Sequence, residues 1–365
     1  MQIELPISKS IANRWLMLQA IHGDELMPVS DSMPDDVRIL HRALTTLKTF
    51  RTSETLSTPH INVGNCGTAM RFLTAYCAQL EGQTTILDGV ERMRHRPIGQ
   101  LVDALREIGA DIEYLGEEGF PPLRIKGCIL DKHRIVTINN PLSTQFVSAL
   151  LLIGAKVQTD STSPYIYITQ EVIKQYQLSP FSYHLSVEKD WSSAAFWYEY
   201  VALHGGEITL LGLSRDSLQG DKIVADIFAH LGVQTEYTAE GIILSPTANS
   251  ETSNSPLSGR PIAAQAASHS KILIQDFGSC PDLYPSVALT CECLGIELHS
   301  TGVESLPLKE SDRLRAVREH RTDHDHRMAM ALLIAGYEVD DAACISKSYP
   351  QFLEQFHRMN TLKLQ

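Results

Sequence analysis

Glycines divide the hydrophobic and polar pattern of this chain into six similar stretches. In each stretch an apolar segment with helical spacing reaches a glycine, and an alternating segment typical of a half-buried strand follows. The six junctions are IHGDELMPVS, LEGQTTILDG, LIGAKVQTD, LHGGEITLLG, CLGIELHST and IAGYEVDDA. A glycine directly after a helix is typical of a left-handed C-cap. The pattern therefore predicts six copies of one module.

A second helix follows each predicted strand, and two copies continue into a hairpin. The second helices begin at or beside Asp35, Arg96, Tyr165, Gln219, Lys309 and Tyr349. The segments LREIGADIEYLGEEGFPPLRIKG and FAHLGVQTEYTAEGIILSP each read as helix, strand, glycine-bearing turn and strand. The full module is therefore predicted as βαβαββ, the other copies being shorter, and this alternation places the chain in the α/β class. The low-complexity stretch 245–270 is predicted to be a flexible surface excursion.

Composition narrows the class of protein. The chain has 365 residues, 43% hydrophobic and 20% charged, which predicts a globular protein of two domains. Its net charge of −12 argues against nucleic acid or an anionic membrane as a partner. No apolar run reaches membrane-spanning length, and the start MQIELPISKS does not resemble a signal peptide, so a cytoplasmic location is expected. The seven cysteines form no CxxC pair and are expected to be reduced and buried.

The first helix of each module opens with small or hydroxyl residues, which cap helices and leave backbone N–H groups open to an anion. These openings are SKSIANRW, GNCGTAMR, LSTQFVSA, KDWSSAAF, PDLYPSVA and DHRMAMAL. Cations lie in or beside the same loops: Lys9, Arg14, Arg71, Arg96, Lys309, Arg313, Arg327 and Lys347. Arginine binds carboxylate and phosphate with two donors, and lysine binds them as a point charge. The set therefore favours a site for two polyanionic small molecules.

Two carboxylates accompany these cations. Asp282 and Glu310 could exchange protons with a ligand, or each could be a helix cap or an ion-pair partner, and their spacing leaves both interpretations open. The run His324–Asp325–His326 has no third ligand at helical spacing, so we interpret it as a cap with packing, and we expect neither a metal nor a cofactor.

A series of motifs extends along almost the whole chain, in the order PISKSIANR, GNCGTAMR, RPIGQLVDAL, PLSTQF, SPYIYIT, KDWSSAAF, LQGD, Pro281–Asp282, KESDRL, DHRMAMA and SKSYPQF. As a set they resemble the motifs of the 3-phosphoshikimate 1-carboxyvinyltransferase (EPSP synthase) family. The resemblance implies two inside-out α/β barrel domains, each of three βαβαββ-type repeats, several of them trimmed. The lower domain would comprise residues 1–8 and 189–365, the upper domain residues 9–188, with the active site in the cleft between them.

The resemblance also implies the reaction, which joins phosphoenolpyruvate to the 5-hydroxyl of shikimate 3-phosphate and releases phosphate. Asp282, Glu310 and Lys9 would be catalytic. Shikimate 3-phosphate would be held by Lys9, Ser10, Arg14, Ser143, Thr144, Gln145, Thr162, Asp282, Ser305 and Lys309. Phosphoenolpyruvate would be held by Lys9, Gly67, Arg96, Gln145, Arg313, Arg327 and Lys347. A monomer is expected.

The chain departs from the family pattern at several positions. Ile7 replaces a glycine, Ser305 an asparagine, Thr162 a serine, and Phe72 stands where a proline is common. Hairpins are expected to be missing near residues 48–62, 174–186 and 314–324. Two alternatives remain open. One is the related enolpyruvyl transferase that acts on UDP-N-acetylglucosamine, although the loop GVERMRHRPIG lacks its reactive cysteine. The other is a non-catalytic relative that binds anions.

Overall fold

A computed structural model describes residues 1–52, 58–179, 187–247 and 271–363, which form two compact units. Unit 1 comprises Met1–Ser8, Asp31–Pro34 and Glu188–Gln365, and unit 2 comprises Lys9–Ser30 and Asp35–Val187. The stretch 248–270, which contains most of the predicted surface excursion, lies outside the described residues.

Helices and strands alternate along the described chain, as an α/β fold requires. The helices are α1 (Lys9–His22), α2 (Asp35–Thr52), α3 (Gly67–Ala78), α4 (Glu91–Arg94), α5 (Gly99–Glu107), α6 (Thr144–Leu152), α7 (Pro164–Leu178), α8 (Trp191–His204), α9 (Val224–Ala229), α10 (Tyr284–Leu294), α11 (Arg313–Glu319), α12 (His326–Ala335) and α13 (Phe352–Lys363). The strands are β1 (Gln2–Glu4), β2 (His60–Asn62), β3 (Thr84–Asp88), β4 (Asp111–Tyr114), β5 (Leu123–Lys126), β6 (Ile135–Thr137), β7 (Lys156–Gln158), β8 (Ile208–Leu211), β9 (Val233–Tyr237), β10 (Gly241–Pro246), β11 (Ile272–Asp276) and β12 (Glu297–Thr301).

Each unit contains one complete βαβαββ module. In unit 1 the four strands lie in the order β1-β8-β10-β9, and in unit 2 in the order β2-β3-β5-β4. In both sheets the first two strands are parallel, with Ile3 opposite Leu210 and Ile61 opposite Leu87, and the hairpin is antiparallel. Both predicted hairpins are therefore confirmed, as are the helices before them.

A second module in each unit is shorter. It retains two parallel strands, β11 with β12 in unit 1 and β6 with β7 in unit 2, and no hairpin strand is assigned among its described residues. The expected loss of the hairpin near 314–324 is confirmed, because α11 ends at Glu319 and α12 begins at His326. The other two expected losses fall partly on residues 53–57 and 180–186, which lie outside the described residues.

The prediction of a strand after each of the six glycines is wrong for the third module of each unit. Residues 24–30 and 337–342 follow their glycines as expected, but neither segment forms a strand. A strand requires a hydrogen-bonded neighbour, and among the described residues these two modules supply none. Pro28 also lacks a donor, and aspartates such as Asp340 and Asp341 are unfavourable in strands.

All six predicted openings begin helices. Four of them carry a side-chain cap that accepts a backbone N–H: Cys66 from Ala69, Ser143 from Gln145, Asp190 from Ser193 and Asp325 from Arg327. The helices α8, α10 and α12 are buried along most of their length and contact one another in the core of unit 1. Helices α1, α3 and α6 do the same in unit 2. The openings are therefore fixed by buried, capped helices.

Glu199 is a buried carboxyl in the middle of α8, and its residue exposure is 0%. The nearby Ser286 hydroxyl donates to the Ala195 carbonyl oxygen. Burial, only partly opposed by Ser286, raises the pKa of Glu199 well above its ordinary value. The folded protein therefore keeps a proton that the unfolded chain loses above pH about 4.3.

Replacing Glu199→Gln tests this protonation. The stabilising effect of the proton is complete below pH about 4.3 and is lost as the pH rises towards the raised pKa, by up to about 1.4 kcal/mol per pH unit. We expect the free energy of unfolding of the Gln variant, relative to wild type, to increase between pH 6 and pH 8 in urea unfolding. The exposed Glu207→Gln serves as control. A pH-independent difference for Glu199→Gln would contradict the assignment.

Candidate active site

A buried guanidinium organises the site residues of unit 1. Arg313 begins α11, and its side chain is 1% exposed. Its Nε donates to Asp325 Oδ2 at 2.8 Å, its Nη1 to Asp282 Oδ1 at 2.8 Å, and its Nη2 to Glu310 Oε2 at 3.2 Å. Burial disfavours the charged form, but the three carboxylates outweigh it and hold the pKa of Arg313 above its ordinary value. Arg313 therefore remains a cation in the interior.

The two predicted catalytic carboxylates each have a second cation. Asp282 Oδ2 accepts from Arg327 Nη2 at 2.8 Å, and Lys309 Nζ lies 3.8 Å from Asp282 Oδ1. Glu310 Oε1 accepts from Lys347 Nζ at 2.6 Å. The side chains of Asp282 and Glu310 are 17% and 11% exposed, so each keeps a limited surface that a ligand could reach.

We call these seven side chains the Arg313 cluster: Asp282, Lys309, Glu310, Arg313, Asp325, Arg327 and Lys347. Four are cations and three are carboxylates, so the cluster carries one net positive charge when all are ionised. A positive group of buried and partly buried side chains in a protein of net charge −12 is suited to anions. Among the described residues, Ser305 makes no side-chain hydrogen bond to the cluster, and its carbonyl oxygen accepts from Leu308 N.

Asp325 was predicted to cap a helix, and the structure confirms this. Its Oδ1 accepts from Arg327 N at 2.9 Å, while its Oδ2 accepts from Arg313 and from Ser311 Oγ. The contact to Arg313 was missed by the sequence prediction, because the two residues lie on different helices and no spacing rule links them. Across the described ranges, no group of three or more His, Cys, Asp or Glu side chains is arranged to hold a metal ion.

In unit 2, Lys9 is held by a carboxylate that the sequence prediction also missed. Its Nζ donates to Asp36 Oδ2 at 3.1 Å, and the two side chains are 13% and 4% exposed. Asp36 lies in the first turn of α2, where an acidic residue also interacts favourably with the helix dipole. The only sequence signal for this contact was the acidic pair Asp35 and Asp36 in the first turn of α2. Helix capping alone already explains such a pair.

Arg14 lies in the interior of unit 2, with its residue exposure at 2%. Its Nε donates to Thr169 Oγ1 at 2.7 Å, its Nη2 to Ser148 Oγ at 3.2 Å and its Nη1 to the Ser10 carbonyl oxygen at 2.6 Å. Its guanidinium carbon lies 5.5 Å from the ring centre of Phe72, one of the unusual residues of this chain. Burial lowers the pKa of Arg14 to about 10, so it is still cationic at neutral pH. Direct binding of shikimate 3-phosphate by Arg14 stays a prediction.

Arg96 lies against the start of α3. It is 7% exposed, and its Nη1 donates to the Asn65 carbonyl oxygen at 3.4 Å. A Cβ atom added to Gly67 would lie 2.7 Å from Arg96 Nη2 and 2.9 Å from its Cζ. Gly67 therefore provides the space that the Arg96 guanidinium occupies. The neighbouring Arg71 donates to the Pro97 carbonyl oxygen at 3.0 Å and so ties the Arg96 segment to α3.

The remaining predicted residues of unit 2 lie at helix starts. Ser143 caps α6, Thr144 is its first residue, and Gln145 Nε2 donates to Thr68 Oγ1 at 3.0 Å. Thr162 lines a cavity of about 620 Å³ between the β6–β7 sheet and α7. The cavity is lined mainly by polar side chains, namely Lys156, Gln158, Thr159, Ser161, Ser163 and Gln170, with Ile135, Val157, Ile166 and Tyr167. Thr162 is thus in a polar, open environment.

Comparison with known proteins decides the family. The sequence profile of EPSP synthase (3-phosphoshikimate 1-carboxyvinyltransferase) matches residues 1–320 and 318–356. The chain belongs to the EPSP synthase family. A Bacteroides fragilis protein named 3-phosphoshikimate 1-carboxyvinyltransferase is 35% identical over an alignment that covers 98% of this chain and 94% of the relative. A protein of that name from Colwellia psychrerythraea is 28% identical, with 98% and 96% covered.

Solved structures agree with this family at the level of the fold. An EPSP synthase structure from Acinetobacter baumannii superposes with a TM-score of 0.62 at 19% identity, covering 98% of this chain and 95% of that one. The enolpyruvyl transferase NikO from Streptomyces tendae gives 0.62 at 11% identity, covering 98% and 94%. The predicted α/β fold class is thereby confirmed. The alignment with the Bacteroides relative spans 417 residues, more than the 365 of this chain, so the relative has segments that this EPSP synthase family member lacks.

Gly67→Ala tests the packing of Arg96. The added methyl group must displace a guanidinium that we expect to bind phosphoenolpyruvate, and the side chain is flexible enough to move without unfolding the unit. We expect phosphoenolpyruvate to bind about tenfold more weakly, equivalent to about 1.4 kcal/mol, in a calorimetric titration. Gly116→Ala is the matched control, because its nearest atom would be an ordinary 3.6 Å away. Unchanged affinity in Gly67→Ala would remove Arg96 from the binding site.

Proposed function

We propose that this protein transfers the enolpyruvyl group of phosphoenolpyruvate to the 5-hydroxyl of shikimate 3-phosphate, giving 5-enolpyruvylshikimate 3-phosphate and phosphate. Membership of the EPSP synthase family supports the reaction. The observation that carries it at the site is the Arg313 cluster, in which two partly exposed carboxylates lie among four cations. A protein that only bound anions would need the cations but not the carboxylates.

The reaction needs both kinds of group. The 5-hydroxyl loses a proton as its oxygen bonds to C2 of phosphoenolpyruvate, and the methylene carbon gains a proton. The tetrahedral intermediate then loses phosphate and a proton, and the alkene is restored. Asp282, Glu310 and Lys9 are the groups that we propose exchange these protons. Positive charge beside the leaving phosphate stabilises it as its bond breaks.

Contacts within unit 1 support the division of roles. Glu310 touches Arg313 and Lys347, both proposed to bind phosphoenolpyruvate, so a proton on Glu310 would lie near the carbon that must accept it. Asp282 also accepts from Arg313 and Arg327, but it lies in addition 3.8 Å from Lys309, which is proposed to bind shikimate 3-phosphate. These contacts favour Glu310 for the methylene carbon and Asp282 for the hydroxyl. Because the carboxylates are already fixed by Arg313, the site is preorganised before a ligand arrives.

The proposed roles in unit 2 rest on the same kind of evidence. Lys9 is fixed by Asp36, and Arg96 is fixed against the start of α3. Each of these held cations is suited to bind a phosphate or a carboxylate group of a ligand. Ser143, Thr144, Gln145 and Thr162 provide hydroxyl and amide donors, and Gly67 leaves the start of α3 open. For Arg14 and Ser10 we propose a share in binding shikimate 3-phosphate through the α1 opening that they stabilise together.

We propose in addition that the enzyme acts as a monomer in the cytoplasm. All seven cysteines lie within the described residues and none of them forms a disulfide, which supports a reducing compartment. Within the described residues no helix is both long and apolar enough to cross a membrane.

Phosphate release tests the reaction. Wild-type protein with phosphoenolpyruvate and shikimate 3-phosphate should release phosphate, and Glu310→Gln should bind both ligands while releasing phosphate at least about 100-fold more slowly, because the proton donor is lost. Glu304→Gln and Glu207→Gln serve as controls, because both glutamates are exposed. Release only with UDP-N-acetylglucosamine, or tight binding without any release, would contradict the proposal in favour of the related transferase or of a binding protein. An unchanged rate in Glu310→Gln would remove that residue from the mechanism.

A further inference from the structure

Asp221 is a buried carboxyl beside the Arg313 cluster, in the LQGD segment, to which no role has been given above. It lies in a short 3-10 helix, Gly220–Ile223, and its residue exposure is 3%. Its Oδ2 accepts a hydrogen bond from the hydroxyl of Ser192, which is itself 6% exposed. Its Oδ1 is buried and has no hydrogen-bond partner among the described residues. A carboxyl satisfied on one side only is costly to bury as an anion.

The charged groups that face Asp221 come from several segments of unit 1. Asp282 and Arg327 face it from the Arg313 cluster, and Asp190, the cap of α8, adds a third carboxylate. The Cys280 thiol also faces it, and burial first and Asp221 second raise the pKa of that thiol to about 12, so it is neutral. Lys222, its neighbour in the chain, donates instead to the Arg215 and Ser217 carbonyl oxygens. The strongest repulsion on Asp221 is therefore that of Asp282.

Asp282 would be a weak base without such a neighbour. Arg313 and Arg327 each donate to one of its oxygens at 2.8 Å, and two such contacts favour the ionised carboxylate strongly. A group that must take a proton from a hydroxyl needs a higher proton affinity than this arrangement provides. A nearby negative charge raises the proton affinity, because like charges disfavour each other's ionised form.

We propose that Asp221 is a positioning residue for enolpyruvyl transfer, which through its charge raises the proton affinity of Asp282 and offsets the two arginines. The proposal rests on the function proposed above and on the acid–base role of Asp282. Asp221 does not need to touch a ligand, since the interaction passes through Asp282. The Ser192 hydroxyl contributes to this interaction, because its hydrogen bond stabilises the ionised form of Asp221.

The proposal implies a dependence on pH near neutrality. Burial first, and then Asp282, raise the pKa of Asp221 to about 7, while Ser192 and Arg327 act against them. Below this pH Asp221 is neutral and Asp282 is a weaker base. Above it Asp221 becomes an anion, and the turnover number should rise.

Asp221→Asn keeps the shape and the hydrogen bond from Ser192 but removes the charge. We expect its kcat at pH 8 to be about tenfold below wild type, its kcat near pH 6 to be almost equal to wild type, and its KM for phosphoenolpyruvate to be unchanged or lower. The step in kcat near pH 7 should be lost. Ser192→Ala should keep the step but move it to higher pH. The exposed Asp226→Asn, on α9, is the matched control and should keep the wild-type profile.

A purely structural role would give the opposite pattern. It predicts that Asp221→Asn lowers kcat by the same factor at every pH or raises KM, with the step at pH 7 retained, and either outcome would overturn the proposal.

A spectroscopic measurement keeps the test independent of turnover. The infrared band of the protonated Asp221 carboxyl, identified by its loss in Asp221→Asn, should disappear near pH 7 in wild type. Since coupling between two titrating groups is mutual, Asp282→Asn should move this titration to lower pH. A titration unmoved by Asp282→Asn would overturn the inference even in an active enzyme. If the wild-type protein releases no phosphate, but Asp282→Asn still moves the titration of Asp221, only the proposed reaction is contradicted.

Discussion

The site in unit 1 depends on one buried guanidinium. Arg313 binds Asp282, Glu310 and Asp325, which come from three separate segments of the chain, and its own side chain is almost fully buried. A buried cation is costly unless it is paired and its donors are satisfied. The same contacts that satisfy Arg313 therefore fix the two carboxylates that we propose to exchange protons with the substrates. Because Asp325 also caps α12 and accepts from Arg327 N, the position of the second arginine is tied to that of the first.

The two buried arginines, Arg14 in unit 2 and Arg313 in unit 1, differ in the charge of their partners. Arg14 is as buried as Arg313, but it donates to hydroxyls and carbonyl oxygens of the protein, and none of these partners carries a charge. Arg313 donates instead to three carboxylates, and two of them, Asp282 and Glu310, each keep a second cation and a limited exposed surface. The Arg313 cluster therefore combines fixed charge with groups able to move protons.

The parts of the fold that depend on local chemistry could be predicted from the sequence. Helix openings follow from caps such as Ser143 and Asp190, and the two hairpins follow from alternation around a glycine-bearing turn. The strands expected at 24–30 and 337–342 are absent because pairing depends on a distant partner, which a local pattern does not reveal. The contacts of Asp325 with Arg313 and of Asp36 with Lys9 were missed for the same reason. Each contact joins residues that are well separated in the chain, and the family motifs do not reveal which side chains pair with one another.

The most direct test of this account is the stability of unit 1 without Arg313. Tryptophan fluorescence can follow that unit alone in a Trp15→Phe background, since Trp191 and Trp197 belong to unit 1 and Trp15 to unit 2. In urea unfolding at pH 7, Arg313→Met should reduce the free energy of unfolding by about 3–5 kcal/mol, because three carboxylates are left close together without their shared cation. A loss below about 1 kcal/mol would show that the carboxylates are fixed by other contacts and would contradict the central claim.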